Sequence, residues 1–262
     1  EKKENFNRLK PKFAVGIRSF EPQYLLDLQM FRSIVDLCVT SGELLKLCSQ
    51  NCGMEADRVV SIGGGVHPPL DSRQKPEKLK NTITLLYAGR LENSQKRIMD
   101  FVPFLEELSK RNIIFVLHIA GVGSQEECLK EKLSNYIEKD RVIFHGWLSR
   151  EELYERLYPI ADCFIHFAEW EGMTIAPREA MAHGVVPIIS CFAGLRVEKQ
   201  FIDGENCLTF PTGNIKSAAD CVQKINENPV YFKKLSENAM LSQTGKYSYD
   251  GAINAWSEAF FD

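Results

Sequence analysis

Seven residues separate Glu171 from Glu179 in the run Glu171-Gly172-Met173-Thr174-Ile175-Ala176-Pro177-Arg178-Glu179. Ionised carboxylates only accept hydrogen bonds, so two of them suit vicinal hydroxyls such as those of a ribose and a sugar. A loop acid beside an unrelated helix acid would fit the local pattern equally. Pro177 suits a first helical turn, and with Gly172 it argues against one helix running through both acids. Glu171 is therefore expected in a loop and Glu179 about one turn into a helix, both facing one cleft. The apolar run 162–167 precedes the pair and Val186-Pro187-Ile188-Ile189 follows it. The acids thus fall in a strand–loop–helix–strand unit. Open α/β sheets bind ligands at that place, outside the carboxyl ends of strands and beside helix N-termini.

Three further stretches carry chemistry. Gly89-Arg90-Leu91 ends a strand candidate, and Lys96 is expected to open the next helix. Arginine by forked hydrogen bonds, lysine as a point charge and free helix N–H groups together can bind a diphosphate. A solvated surface pair is the plain alternative. Gly121-Val122-Gly123 lies between a strand and a helix, where absent side chains let a backbone approach a ligand, or simply make a tight turn. It lacks the third glycine of a dinucleotide fingerprint. Gly146-Trp147 precedes Ser149 and Glu152, which have capping-box spacing. Backbone groups of that loop can read a nucleobase edge, and a capped turn without further duty fits as well.

These motifs need rigid elements behind them. Apolar runs at 13–17, 34–40, 58–62, 83–88, 113–119, 142–145, 162–167, 186–190 and 207–210 read as strands. Amphipathic stretches near 22–32, 42–50, 97–110, 125–138, 149–158 and 175–183 alternate with them, and helices close the chain at 215–226, 230–241 and 249–261. Such alternation predicts an α/β fold with a Rossmann-like parallel sheet flanked by helices, plus a partial second α/β unit. Gly63-Gly64-Gly65-Val66-His67-Pro68-Pro69 and the charged residues after it read as a linker. The segment before it holds about three strands. That is too few for a complete doubly wound domain, so it reads as the tail of one.

Composition narrows the function classes. The chain has 262 residues, 44% hydrophobic, with a net charge of -3. Nothing basic points to nucleic acid, and no apolar run of about 18 residues suits a membrane span. The charged N-terminus is no signal peptide. Eight scattered cysteines, with no C-x-x-C, read as reduced thiols of a cytosolic protein rather than a zinc site.

Together the motifs resemble the GT-B glycosyltransferases, specifically the retaining family 4. The resemblance runs from about Val59 to the C-terminus. It covers Gly89-Arg90-Leu91 with Lys96, Gly121-x-Gly123, Phe144-x-Gly146, Ala161-Asp162, Glu171-Gly172, Glu179-Ala180-Met181-Ala182, Gly184-x-x-Pro187, Gly194 and Asp203-Gly204. It implies a partial acceptor-side unit at 1–66, a linker at 67–80, a nucleotide-sugar donor domain at 81–248 and a crossover helix at 249–262. It implies a UDP- or GDP-linked donor sugar, a glycan or lipid acceptor, no metal and no other cofactor. Arg90 and Lys96 would neutralise the diphosphate and Glu171 would contact the transferred sugar. Gly172, Met173, Thr174 and Ile175 would hold sugar and phosphate through their backbone, and Glu179 would bind the ribose. Gly89, Gly121, Gly146 and Trp147 complete the implied donor contacts. The implied location is the cytoplasm, including the inner face of a membrane. Acceptor binding would come from a missing N-terminal domain or a partner chain.

Several positions depart from the family pattern. Met173-Thr174 replace the Phe-Gly after the first acid, and Arg97 replaces a glycine. Arg178 adds a charge expected near the donor pocket, Ala193 replaces a glycine, and His67 replaces an acid. A non-catalytic GT-B module serving a partner is the alternative function, and a GT-B sugar-nucleotide epimerase a third. The four charged residues Arg90, Lys96, Glu171 and Glu179 favour the transferase.

Overall fold

A computed structural model describes residues 13–69, 82–172 and 174–261. Among them, the nine apolar runs become nine strands in two parallel sheets. The smaller sheet has the order β1 (Ala14–Ile17), β2 (Leu37–Thr40), β3 (Val59–Ser61). The larger contains β4 (Ile83–Ala88), β5 (Phe115–Ala120), β6 (Val142–Gly146), β7 (Cys163–His166), β8 (Val186–Ser190) and β9 (Leu208–Phe210). Its strand order is β6-β5-β4-β7-β8-β9. The α/β class expected from the alternation is the one found.

The central strands read as unbroken apolar runs because both faces of the sheet are covered. Leu85 and Tyr87 of β4 join a core with Phe101, Phe104, Phe115 and Ile165. Leu86, on the opposite face, packs with Tyr154, Tyr158 and Phe164. The chain winds outward from β4 in one direction and from β7 in the other. The two strands are hydrogen-bonded neighbours, Leu85 opposite Cys163. Their carboxyl ends therefore flank the switch point, where such a sheet opens a crevice.

The helix expected at 97–110 is a 3-10 turn, Ile98–Asp100, followed by a helix at Phe101–Lys110. Arg97, just before the turn, is left-handed at φ 49° and ψ 41° and breaks the helical path. Lys96 consequently lies in a loop turn instead of opening a helix. The 149–158 stretch starts as Arg150–Glu152 and continues as a π-turn, Leu153–Leu157. No disulfide forms among the described residues, and Cys38, Cys163 and Cys207 are buried. No described helix is long and apolar enough to cross a membrane.

The two sheets are joined by polar bonds as well as by the chain. Glu198 accepts from the backbone N–H of Glu43 and Leu44, both at 3.1 Å, at the start of the Glu43–Asn51 helix. A carboxylate there meets unpaired donors and the positive end of the helix dipole. The segments crossing between the sheets run side by side. Val66 N–H donates to Tyr247 at 3.0 Å, Tyr249 N–H donates to Val66 at 2.9 Å, and His67 stacks on Tyr249. Gly65 makes this possible, since a Cβ there would lie 2.6 Å from the Tyr249 Cα.

Arg178 pins that crossing. It is fully buried, so it adds no exposed charge to a ligand pocket, contrary to the sequence expectation. Its guanidinium donates to the Gly64 carbonyl at 2.6 Å, the Tyr247 carbonyl at 3.1 Å and the Gln243 side chain at 3.2 Å. Arginine suits the place because a planar fork of donors can serve several carbonyls at once. Burial lowers its pKa to about 10. Arg178→Met keeps the bulk and removes the donors, leaving buried acceptors unmatched. We expect it to destabilise the fold by about 3 kcal/mol. Urea unfolding measures the loss, and amide exchange should quicken at 63–67 and 245–249. Unchanged exchange there would mean the guanidinium does not hold the crossing.

Candidate functional site

The site forms where the loops after β4 and β7 meet. The loop after β4 is shaped from within. Tyr87 donates its hydroxyl to the Arg90 carbonyl at 2.7 Å. The Glu92 carboxylate accepts from the backbone N–H of Gln95 at 3.3 Å and of Lys96 at 3.2 Å, closing a turn. Arg97 holds its left-handed conformation through Asp100 and Glu169, each 2.8 Å away. An unbranched glycine would adopt that conformation freely, and arginine does so at a cost of roughly 1 kcal/mol. The two ion pairs offset it.

Glu171 is 5% exposed. A carboxylate that far from water must be paired or protonated. It faces the Lys96 ammonium in direct contact, the Gln95 amide Nε2 at 3.2 Å and the His166 Nε2 at 3.2 Å. Burial pushes its pKa up, but His166 and Lys96 outweigh burial and hold it below the ordinary carboxylate value. Burial also lowers the pKa of His166, so the imidazole is neutral at neutral pH. His166 Nδ1 is buried with no hydrogen-bond partner. The proton therefore belongs on Nε2, where it can be given to Glu171. Arg90 joins the cluster through Gln95, donating to its amide oxygen at 2.6 Å. Arg90, Lys96 and Glu171 are thus brought together at the switch point, as their spacing in the sequence allowed.

Glu179 sits in a second, adjoining cluster. The helix Ile175–Ala182 starts at Thr174, whose side chain does not cap it, so the first N–H groups carry no side-chain partner from that residue. Glu179 lies one turn in and accepts from the Tyr158 hydroxyl at 3.3 Å. Burial raises the pKa of its carboxyl, and the Tyr158 bond only partly counters this. Thr174 is buried, and Met173 lies outside the described residues.

The glycines serve the loops. A Cβ at Gly121 would come within 1.8 Å of the Gly89 carbonyl oxygen, and one at Gly123 within 2.3 Å of the Leu91 oxygen. The close approach read from the sequence is thus made by the neighbouring loop. Gly172 similarly abuts the Arg18 carbonyl of the smaller sheet, 2.9 Å from a Cβ built there. Gly146 has open space around it, at φ 66°, and its carbonyl accepts from Gly121 N–H at 2.6 Å. Trp147 is 71% exposed beside it, and the capping box of Ser149 and Glu152 is formed. Sequence reasoning missed Gln95 and His166. His166 was hidden in an apolar strand, and Gln95 was overshadowed by Lys96, although its adjacency to a cation at the switch point was a usable signal.

Residues 70–242 match the family model for glycosyl transferases group 1. The chain belongs to that family. It is 32% identical over 208 residues to the glycogen synthase of Desulfitobacterium hafniense, covering 71% of this chain and 44% of that protein. The chain therefore spans less than half the length of that curated relative. The sucrose-phosphate synthase of Thermosynechococcus elongatus superposes with a TM-score of 0.78 at 17% identity, over 99% of this chain and 69% of that one. Anabaena HepE, in complex with UDP and glucose, superposes with a TM-score of 0.77 at 14% identity, over 94% of this chain and 71% of that one. These likenesses establish the GT-B fold. Within this group 1 chain Glu179 is half-buried.

Two outcomes follow from the packing of these residues. The folded state holds the Glu179 proton more tightly than the unfolded chain does. Its stability is therefore fullest below the ordinary carboxylate pKa of about 4.3 and declines as pH rises through the raised folded value. Glu179→Gln cannot ionise, so its melting temperature should exceed that of the natural protein by a margin that grows with pH above about 4. A margin constant with pH would show that the carboxyl is not raised. Arg97→Gly relieves the left-handed strain and Arg97→Ala does not, though both lose the ion pairs. Urea unfolding should find the glycine variant more stable by about 1 kcal/mol. Equal stabilities would show that the left-handed conformation is not retained.

Proposed function

We propose that this chain is the donor-binding part of a retaining glycosyltransferase that moves a sugar from a nucleotide-sugar to a glycan, lipid or other acceptor. The observation that carries the reading is the convergence of Arg90, Lys96 and Glu171 on the switch point, beside the uncapped start of the Ile175–Ala182 helix. The hard part of such a transfer is departure of the nucleoside diphosphate, on which negative charge grows as the glycosidic bond breaks. Arg90 and Lys96 are placed to take up that charge, in the role a metal fills elsewhere. Lys96 can leave Glu171 for the diphosphate, while Glu171, still held by Gln95 and His166, accepts from hydroxyls of the transferred sugar. Gly172, Met173, Thr174 and Ile175 would hold sugar and phosphate through backbone N–H groups.

Glu179 would accept from the ribose hydroxyls, and its raised pKa is the cost of keeping an acceptor in a dry pocket. The loop Gly146-Trp147, with Gly89 and Gly121 beneath it, would receive the base. UDP or GDP is the expected nucleotide, and the UDP complex of HepE makes UDP the first to try. Transfer would keep the anomeric configuration.

Residues 81–248 would form the donor domain, 67–80 the linker, and 249–262 the helix crossing back to an acceptor-side unit at 1–66. That unit would be completed by further polypeptide. Tyr24, Leu26 and Met30 on its Pro22–Phe31 helix are exposed, and among the described residues β1 pairs with β2 alone. The cytoplasm, including a membrane's inner face, is the proposed location.

Isothermal titration of the whole gene product with UDP, GDP and ADP tests the reading. At least one should bind at millimolar affinity or better, and Arg90→Ala and Lys96→Ala should each weaken it about tenfold or more. Absence of binding to all three would refute the proposal.

A further inference from the structure

Gln95 holds an unusual position. It is 8% exposed, and its one side-chain amide reaches both loops of the site. The amide oxygen accepts from Arg90, and Nε2 donates to Glu171 Oε2 and, at 3.1 Å, to the Trp170 carbonyl. The main chain repeats the connection, since Glu169 N–H donates to the Gln95 carbonyl at 2.8 Å. Every neighbour of the amide is matched in polarity. The guanidinium of Arg90 can only donate, and the Glu171 carboxylate and Trp170 carbonyl can only accept. A carboxylate in its place would serve Arg90 but face two acceptors. A thioether of equal length would serve neither side.

We infer that Gln95 is a positioning residue that joins the diphosphate arm, Arg90, to the sugar arm, Glu171, and sets Glu171 to receive the sugar. The inference rests on the donor reading above. Lys96 cannot do this alone. It contacts Glu171 directly, and it is also the cation expected to turn to the diphosphate. When it turns, the amide of Gln95 and the imidazole of His166 remain as the donors that keep Glu171 ionised and oriented. Gln95 should therefore matter more for a sugar-bearing nucleotide than for the bare diphosphate.

Gln95→Glu and Gln95→Met separate this role from simple packing. Isothermal titration with UDP and with UDP-glucose, from pH 5 to 8, gives one readout. For Gln95→Glu at pH 8, the added charge beside Arg90 should weaken both ligands, and UDP-glucose affinity should fall about tenfold further than UDP affinity. That loss should shrink towards pH 5, where the introduced carboxyl gains a proton and can donate as the amide does. Gln95→Met should lose UDP-glucose binding at every pH. Carbon-13 carboxylate NMR gives the second readout, with Glu171 assigned by its absence in Glu171→Gln. Its titration midpoint should lie about one pH unit or more higher in both Gln95 variants. Parallel losses for UDP and UDP-glucose with no recovery at low pH would overturn the inference and leave Gln95 as packing. If the natural protein binds neither nucleotide, the donor reading fails, and an unchanged Glu171 midpoint would separately overturn the role of Gln95.

Discussion

A carboxylate buried beside the end of β7 must be answered from within the protein, and much of the local structure follows from that demand. Water is not at hand to solvate Glu171, so donors have to be delivered to it. The loop after β4 delivers two, Gln95 and Lys96, and β7 itself supplies His166. To bring adjacent residues to one acid the loop must turn tightly, which Glu92 and the left-handed Arg97 achieve. The glycines at 121 and 123 then let the loop after β5 pass behind it without a collision. Strand order, loop shape and the placement of charge are thus one arrangement seen at three scales.

The same principle acts between the sheets. Glu198 and Arg178 are buried ionisable groups from the larger sheet's side, and each is matched to backbone groups at the boundary with the smaller one. Backbone groups cannot move away independently of the fold. The two side chains therefore define how the units meet more strictly than apolar contact would, since apolar surfaces tolerate sliding whereas hydrogen-bond geometry does not. Arg178 also stands next to Glu179 on a single helical turn. The residue proposed to bind a ribose and the residue that grips the crossing segments share one rigid element.

The fold was legible in the sequence wherever both sheet faces are covered. Cys163-Phe164-Ile165 and Val186-Pro187-Ile188-Ile189 are short unbroken apolar runs, the pattern of strands buried on both faces. The site was legible where charge stands at strand ends, as for Arg90, Lys96 and Glu171. What escaped was direction. Nothing in the one-dimensional pattern distinguishes Arg178, turned inward to three oxygen acceptors, from an arginine aimed at a ligand, because both lie in a helical first turn. The start of the 101–110 helix escaped for a related reason. Arg97 has good helix propensity, and only its ion pairs with Asp100 and the distant Glu169 make the left-handed state affordable. Gln95 and His166 carry no formal charge and so gave no electrostatic signal, although they complete the coordination of one that does.

The contact between Gly42 and Glu198 has an implication for how this sequence can drift. A Cβ at position 42 would stand 2.6 and 2.8 Å from the two carboxylate oxygens of Glu198. A side chain at 42 would therefore push the Glu198 carboxylate off its bonds to Glu43 and Leu44. Relatives that carry a side chain at 42 are expected to have a shorter or neutral residue at 198, and those that keep the glutamate should keep the glycine. Two positions 156 residues apart in the chain would then vary as a linked pair, and a comparison of enough relatives would display the boundary between the two sheets as a correlation in the sequences.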